Sequence, residues 1–166
     1  MKRKPSIEGF TLVELVMVIV IIGVLAVSVG PRFFSVTAYE ERFYTEDMLT
    51  ALRYAHRVAE NSNCVVRFTV TANGFQMAQD GNCFNASAAN FNMNVFRPSE
   101  PDIPFNSVDK PASLLQSSTT SPFFFQPNGN ILDSSSTLAT VTVSLTGLEV
   151  TTTLQIDGYT GYVSKI

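Results

Sequence analysis

From Phe10 to Val29 the chain runs for twenty residues with one charge, Glu14. As an α-helix rising about 1.5 Å per residue, such a run measures about 30 Å, the hydrocarbon thickness of a bilayer. It is apolar on every side, so it needs lipid or other chains around it. Lys2, Arg3 and Lys4 precede the run, and acidic residues dominate after it. That asymmetry orients the N-terminus to the cytoplasm and the remainder across the membrane. Glu14 narrows the choice. A carboxylate at mid-membrane costs about 2.5–3.5 kcal/mol on insertion scales and generally has a partner and a purpose. A secretory signal cut near Ala26-Val27-Ser28 would need an uninterrupted apolar core. A plain anchor would carry no acid. Glu14 counts against both.

The stretch Gly9-Phe10-Thr11-Leu12-Val13-Glu14-Leu15 resembles the prepilin processing motif of type IV pilins and type II secretion pseudopilins. The resemblance covers about 25 residues from the basic leader into the apolar run. It implies that a prepilin peptidase/methyltransferase cuts between Gly9 and Phe10 and N-methylates Phe10. Glu14 then stands where that family has its characteristic assembly glutamate. A desolvated Glu14 needs a cation or a donor. The new ammonium of Phe10, on the same chain or on a neighbour, is the candidate; pairing to a neighbour would set the stagger between subunits. The alternative role for Glu14 is to cap its own helix N-terminus.

Gly30 and Pro31 close the apolar run. Proline removes an interior helix hydrogen bond and crowds the preceding turn, so a kink is expected there. Beyond it, Met48, Leu52, Ala55 and Ala59, with Leu49, Ala51 and Val58, form one apolar stripe on a 3.6-residue period. The two segments read as one long helix whose second half backs a globular domain. Glu40, Glu41, Glu46, Arg53, Arg57 and Glu60 fall on other faces and read as a solvated surface. His56, the one histidine, lies off the stripe and reads as a surface residue without local metal or catalytic partners.

After the helix, β-branched Val65–Thr71 and Phe75–Gln79 flank Asn73-Gly74, a strong hairpin signal. With those two as the turn, Val70 faces Met77, Phe68 faces Gln79, and Cys64 faces Cys83. Facing residues have Cα atoms about 4.5–5.5 Å apart, inside the range a disulfide needs. A domain outside the cytoplasm permits the bridge. A reactive or metal-binding thiol pair would want CxxC spacing or a nearby histidine, and neither is present.

Residues 85–122 are rich in Asn, Ser, Thr and Pro and read as an irregular insert, tacked down by Phe91, Phe96, Ile103 and Phe105. A loop of that length is often functional, so it is a candidate partner-facing surface. Strand patterns return with Phe123–Phe125, with alternating Ala139–Leu145 and Val150–Ile156, and with Tyr159–Ile166 after Asp157-Gly158. Leu49–Phe68, FFFQPNGNI and LQIDGYTGYV are similar to the corresponding passages of H-type pseudopilins and their minor-pilin relatives. With Gly-Pro-Arg-Phe after the apolar run, they also resemble minor pilins of mannose-sensitive haemagglutinin systems. Many major pilins place a cysteine pair around a C-terminal loop, and this chain has no cysteine after Cys83.

The expected fold is α+β and pilin-like: a long N-terminal helix packed on a C-terminal antiparallel sheet domain. Its expected divisions are a leader (1–9), a membrane or filament-core helix (10–30), an amphipathic helix (31–62) and a periplasmic β-rich domain (63–166). The resemblance implies a minor pilin that initiates assembly of a type IV pilus, held in the inner membrane with its N-terminus cytoplasmic. The expected partners are the processing enzyme, other pilin or pseudopilin subunits and membrane lipid. The alternatives are a secretion pseudopilin, or an adhesin or DNA-uptake subunit using residues 85–122. One histidine and no P-loop, GxGxxG or HExxH leave no enzyme, cofactor or metal reading. A net charge of −3 disfavours nucleic acid as a partner.

Overall fold

The computed structural model describes residues 10–29, 36–83 and 90–166. The expected cut after Gly9, the Gly30-Pro31 kink and the continuity of the two helices lie outside those residues. The chain divides into two units, Met1–Val36 and Thr37–Ile166.

The first unit holds α1 (Leu12–Val29), 18 residues long. Its start is set by Thr11, whose hydroxyl accepts the Glu14 backbone N–H at 3.3 Å and whose carbonyl accepts Leu15 N–H at 3.2 Å. Thr11-x-x-Glu14 is the spacing of a capping box. Every described side chain from Phe10 to Leu25 is exposed. At about 27 Å the described helix is shorter than the run read from the sequence. No helix among the described residues is long and apolar enough to cross a membrane.

The second unit is built on α2 (Val36–Ser62). Met48, Leu49, Ala51, Leu52, Ala55 and Ala59 are buried, the stripe read from the sequence. The helix stops at Asn63, whose φ of 54° is the left-handed conformation that ends many helices. Two of the expected surface residues are not at the surface. Glu41 is fully buried, and His56 keeps only 19% of its side-chain surface exposed, with its ring 6.1 Å from that of Phe125.

Three antiparallel sheets follow. The largest has five strands in the order β3-β2-β1-β7-β8: β1 (Val66–Thr71), β2 (Gly74–Gln79), β3 (Met93–Asn94), β7 (Phe123–Phe125) and β8 (Ile131–Leu132). A second has the order β11-β10-β9-β6: β6 (Leu115–Ser118), β9 (Val141–Thr146), β10 (Thr151–Ile156) and β11 (Val163–Lys165). The third pairs β4 (Phe96–Arg97) with β5 (Glu100–Pro104). The α+β class read from the sequence is the class observed. Phe68 lies at the centre of the core, its ring 5.5 Å from Phe75, 5.4 Å from Phe123 and 6.4 Å from Phe125. Alternating Val141, Val143 and Leu145, with Leu154 and Ile156, supply the core face of the second sheet.

The β1–β2 register differs from the expectation. Thr71 pairs with Gly74, Val70 with Phe75 and Phe68 with Met77, so the turn is Ala72-Asn73. Neither Asn73 nor Gly74 has positive φ. Gly74 is a strand residue because Ser107 lies against it: Phe75 and Ser107 exchange backbone hydrogen bonds of 2.9 and 3.0 Å. A Cβ on Gly74 would overlap the Ser107 carbonyl. This long-range pairing outweighs the local turn preference of Asn-Gly.

The corrected register does not put Cys64 opposite Cys83, yet the two are joined, with Cα atoms 4.8 Å apart. A turn after β2 brings Cys83 back. Asp80 N–H donates to Val65 O at 2.9 Å, and its buried carboxylate accepts from Asn82 N–H at 3.0 Å and Asn90 N–H at 2.9 Å. The bridge therefore ties the end of α2 to the exit of β2. Cys64→Ser should lower unfolding stability by about 2–4 kcal/mol. Urea titrations of both proteins, with and without reductant, measure it; coincident midpoints in the absence of reductant would show that the bridge adds nothing.

The insert is more regular than its composition implied. Among its described residues, 90–122, it contains β3 to β6. Val95, Phe105 and Leu114 anchor it in the core. Phe91 packs on Phe124 at 5.4 Å, whereas Phe96 and Ile103 are exposed. The Asp157-Gly158 turn is also longer than a two-residue hairpin, since Ile156 pairs with Val163. The Asp157 carboxylate accepts Tyr159 N–H, Thr160 N–H and the Thr160 hydroxyl at 2.8–3.1 Å. Those bonds hold its pKa below the ordinary value, the Thr160 hydroxyl contributing most.

Candidate functional site

Two features stand apart from ordinary packing: the bare apolar helix of the first unit, and a buried carboxylate that organises one end of the second.

Phe10 opens the described chain and is 74% exposed. Leu12, Val13, Leu15, Val16, Met17 and the residues through Leu25 are likewise uncovered. Monomeric soluble proteins rarely show contiguous apolar surface on this scale. Its one acid, Glu14, lies in the first turn of α1, where a carboxylate also favours the helix dipole. Of the expected site residues, the structure thus places Phe10 and Glu14 together at the exposed start of α1 and joins Cys64 to Cys83. Gly9, Gly30 and Pro31 lie outside the described residues.

Glu41 was missed by sequence reasoning. Its carboxylate accepts the Ser113 hydroxyl at 2.6 Å and the N–H groups of Leu148, Glu149 and Val150 at 3.1, 2.9 and 3.2 Å. One side chain of α2 thereby holds both the approach to β6 and the β9–β10 connection. Gly147 is required there, because a Cβ would lie 2.5 Å from the Glu41 carboxylate. These donors, the Ser113 hydroxyl foremost, pull the Glu41 pKa below 4.5 despite burial, which acts the other way. Nearby, Tyr44 donates to Gln116 Oε1 at 2.7 Å, and burial raises its pKa. Gln116 in turn donates to the carbonyls of Thr71 and Gly74.

A bidentate pair joins the insert to α2. Arg97 Nη1 and Nη2 lie 2.8 and 2.9 Å from the Asp47 carboxylate, which raises the Arg97 pKa, and the guanidinium stacks 4.4 Å from the Phe105 ring centre. His56 Nε2 is buried without a hydrogen-bond partner among the described residues, 3.6 Å from a Glu60 oxygen. No group of three or more His, Cys, Asp or Glu among the described residues could hold a metal ion. Among the described residues, large apolar and aromatic side chains such as Phe10, Tyr39, Phe43 and Tyr162 stand exposed.

A family profile described as the prokaryotic N-terminal methylation motif matches residues 5–30, and one described as type II transport protein GspH matches residues 44–160. The chain belongs to the GspH family. GspH-like architecture is also what solved structures show. The type IV minor pilin FimU of Pseudomonas aeruginosa superimposes with a TM-score of 0.51 at 13% identity, over 76% of this chain and 87% of that one. The minor pseudopilin EpsH of the Vibrio cholerae type 2 secretion system does so with a TM-score of 0.54 at 9% identity, over 76% and 96%. At these identities the likeness is one of fold. No curated protein matches the chain. This GspH-family chain carries the N-terminal methylation motif ahead of its GspH region and shares the fold of a pilin and of a pseudopilin.

Proposed function

We propose that the chain is a minor, assembly-initiating subunit of a type IV pilus, of the kind used by mannose-sensitive haemagglutinin systems. Prepilin peptidase cuts it after Gly9 and methylates Phe10. The apolar helix stores it in the inner membrane, with the second unit in the periplasm. The same helix then leaves lipid and packs among other subunits. The observation that carries this reading is α1, which is exposed along every described side chain and carries one acid, in its first turn. Such a surface needs a replaceable apolar cover, first lipid and then protein. In the subunit core Glu14 pairs with the methylated ammonium of a neighbour, which offsets the cost of a buried carboxylate.

A secretion pseudopilus is the second reading, favoured by the description of the matching family, type II transport protein GspH. Shearing surface filaments from the host and quantifying the chain by mass spectrometry separates the two. The pilus reading expects the chain, beginning at N-methylphenylalanine, at a small fraction of the main subunit. Its absence from pili, with loss of protein secretion on deletion, transfers it to the secretion machine. Glu14→Val should insert normally and reach filaments at least about tenfold less often, the scale of a few kcal/mol of lost pairing. Wild-type incorporation of that variant would remove Glu14 from assembly.

A further inference from the structure

At the N-terminal end of α2 the second unit carries six apolar or aromatic side chains, each 62–79% exposed: Val36, Tyr39, Phe43, Val108, Leu115 and Leu148. They come from four separate segments that the fold gathers. Tyr39 and Phe43 stack, 6.3 Å between ring centres, and line one cleft with Val108. Glu41, between them on the helix, accepts the Leu148 N–H at 3.1 Å and the Ser113 hydroxyl at 2.6 Å. Leu115 follows Ser113 by two residues and pairs with Thr146 of β9. Leu148 is the most telling of the six. Polar residues and glycine dominate such turns, yet here a leucine stands out from a tip that Glu41 clamps by three successive N–H groups.

This is also the end at which the second unit is tied to the apolar helix. α1 ends at Val29 and α2 begins at Val36. The intervening chain is about 25 Å long at full stretch. With α1 held in lipid, that tether keeps the first turns of α2 within reach of the membrane surface. Tyrosine is favoured at headgroup level, where its ring is covered and its hydroxyl stays wet. Charge does not supply the attraction. The exposed acids here, Glu40, Asp109 and Glu149, outnumber exposed Arg42, and Lys110 is committed to the carbonyls of Pro111 and Leu114. Apolar area is what this end has to offer a bilayer.

We propose that these six side chains form a lipid-contact face, which dips into the headgroup layer of the bilayer that holds α1. This rests on the reading of α1 as a membrane-stored helix, and gives the folded domain a hold of its own on the lipid. Extraction for assembly then has to lift this face out of the interface as well as α1 out of the hydrocarbon.

The test is fluorescence of the full-length chain in bilayers of phosphatidylcholine and phosphatidylethanolamine. The chain has no tryptophan, so a single introduced one reports its own surroundings. Leu148→Trp and Val108→Trp place it on two exposed segments of the face. Tyr159→Trp is the reference. Tyr159 is 74% exposed and lies two residues before Gly161, which packs on His56, about 22 Å along α2 from Glu41. Both face reporters should emit to the blue of the reference, and lipid brominated near the glycerol should quench them at least about twofold more. Iodide in the water should rank the three the other way. High salt should leave the order unchanged, because the contact is apolar. Equal quenching of all three, bromolipid reaching only one face reporter, loss of the order at high salt, or shielding from both iodide and bromolipid, which would mean a protein cover, overturns the proposal. Val18→Trp, in the middle of α1, separates the two readings. If lipid brominated deep in the acyl chain quenches it while the face reporters stay in water, membrane storage stands and the lipid-contact face alone falls; if it too stays in water, the storage reading falls as well.

Discussion

Glu41→Gln lowers the melting temperature of the chain by roughly 10 °C, the scale expected when several hydrogen bonds to one buried charge are weakened together. The glutamine matches the shape but turns an amide N–H₂ toward donors that need an acceptor. Leu148, Glu149 and Val150 then lose part of the anion that gathers them. The same residue gives the chain an acid limb. Its folded pKa lies below 4.5, so its contribution is complete above that value and is lost as the pH falls through the lowered folded pKa. Melting curves of the detergent-solubilised chain at neutral pH and in the acid range test both parts. The substitution should flatten the fall in stability on acidification. An unchanged melting temperature would show that the β9–β10 connection needs no carboxylate.

Phe68→Ala has the largest expected effect on the core. Phe68 is fully buried and its ring meets those of Phe75, Phe123 and Phe125. Truncating a phenylalanine in such a place costs about 3–5 kcal/mol, through lost transfer energy and the cavity left behind. That is a large part of the 5–15 kcal/mol that holds a typical domain folded. Near-ultraviolet circular dichroism and urea titration should show a midpoint far below that of the parent, or no folded baseline. Phe68→Leu, which keeps most of the volume, should recover much of the loss. If alanine and leucine behaved alike, the ring cluster would not be what holds β1 between β2 and β7.

How far the sequence disclosed this arrangement depended on the range of the interaction involved. The stripe from Met48 to Ala59 and the alternation from Val141 to Ile156 are local periodicities, and both are where the pattern put them. The Asn73-Gly74 turn failed because its competitor, Ser107, arrives from more than thirty residues away. The cysteine pairing came from a register that does not form, and the bond exists because Asp80 organises a turn instead. Glu41 was invisible for a related reason. On its own helix it is one acid among several, and its donors lie at Ser113 and 148–150. The one available hint was Gly147 beside a hairpin tip, which marks a close approach without saying by what. Thr11, in contrast, was legible in principle, since Thr-x-x-Glu before an apolar run is a helix-start pattern. Composition alone misjudged the insert, because its proline and asparagine content hid Val95, Phe105 and Leu114, which seat it.

The covalent link between Cys64 and Cys83 has a mechanical consequence. A tug on the N-terminal end of α2 would shear that helix along the β-layers it covers, opposed only by side-chain contacts and by Glu41. At the far end the helix is bonded to the exit of β2, so the load passes into β1 and β2 as a closed covalent ring. The helix cannot be drawn out of its groove like a bolt; it stays shackled until force has peeled strands away, and reduction would turn a tough anchorage into a slipping one.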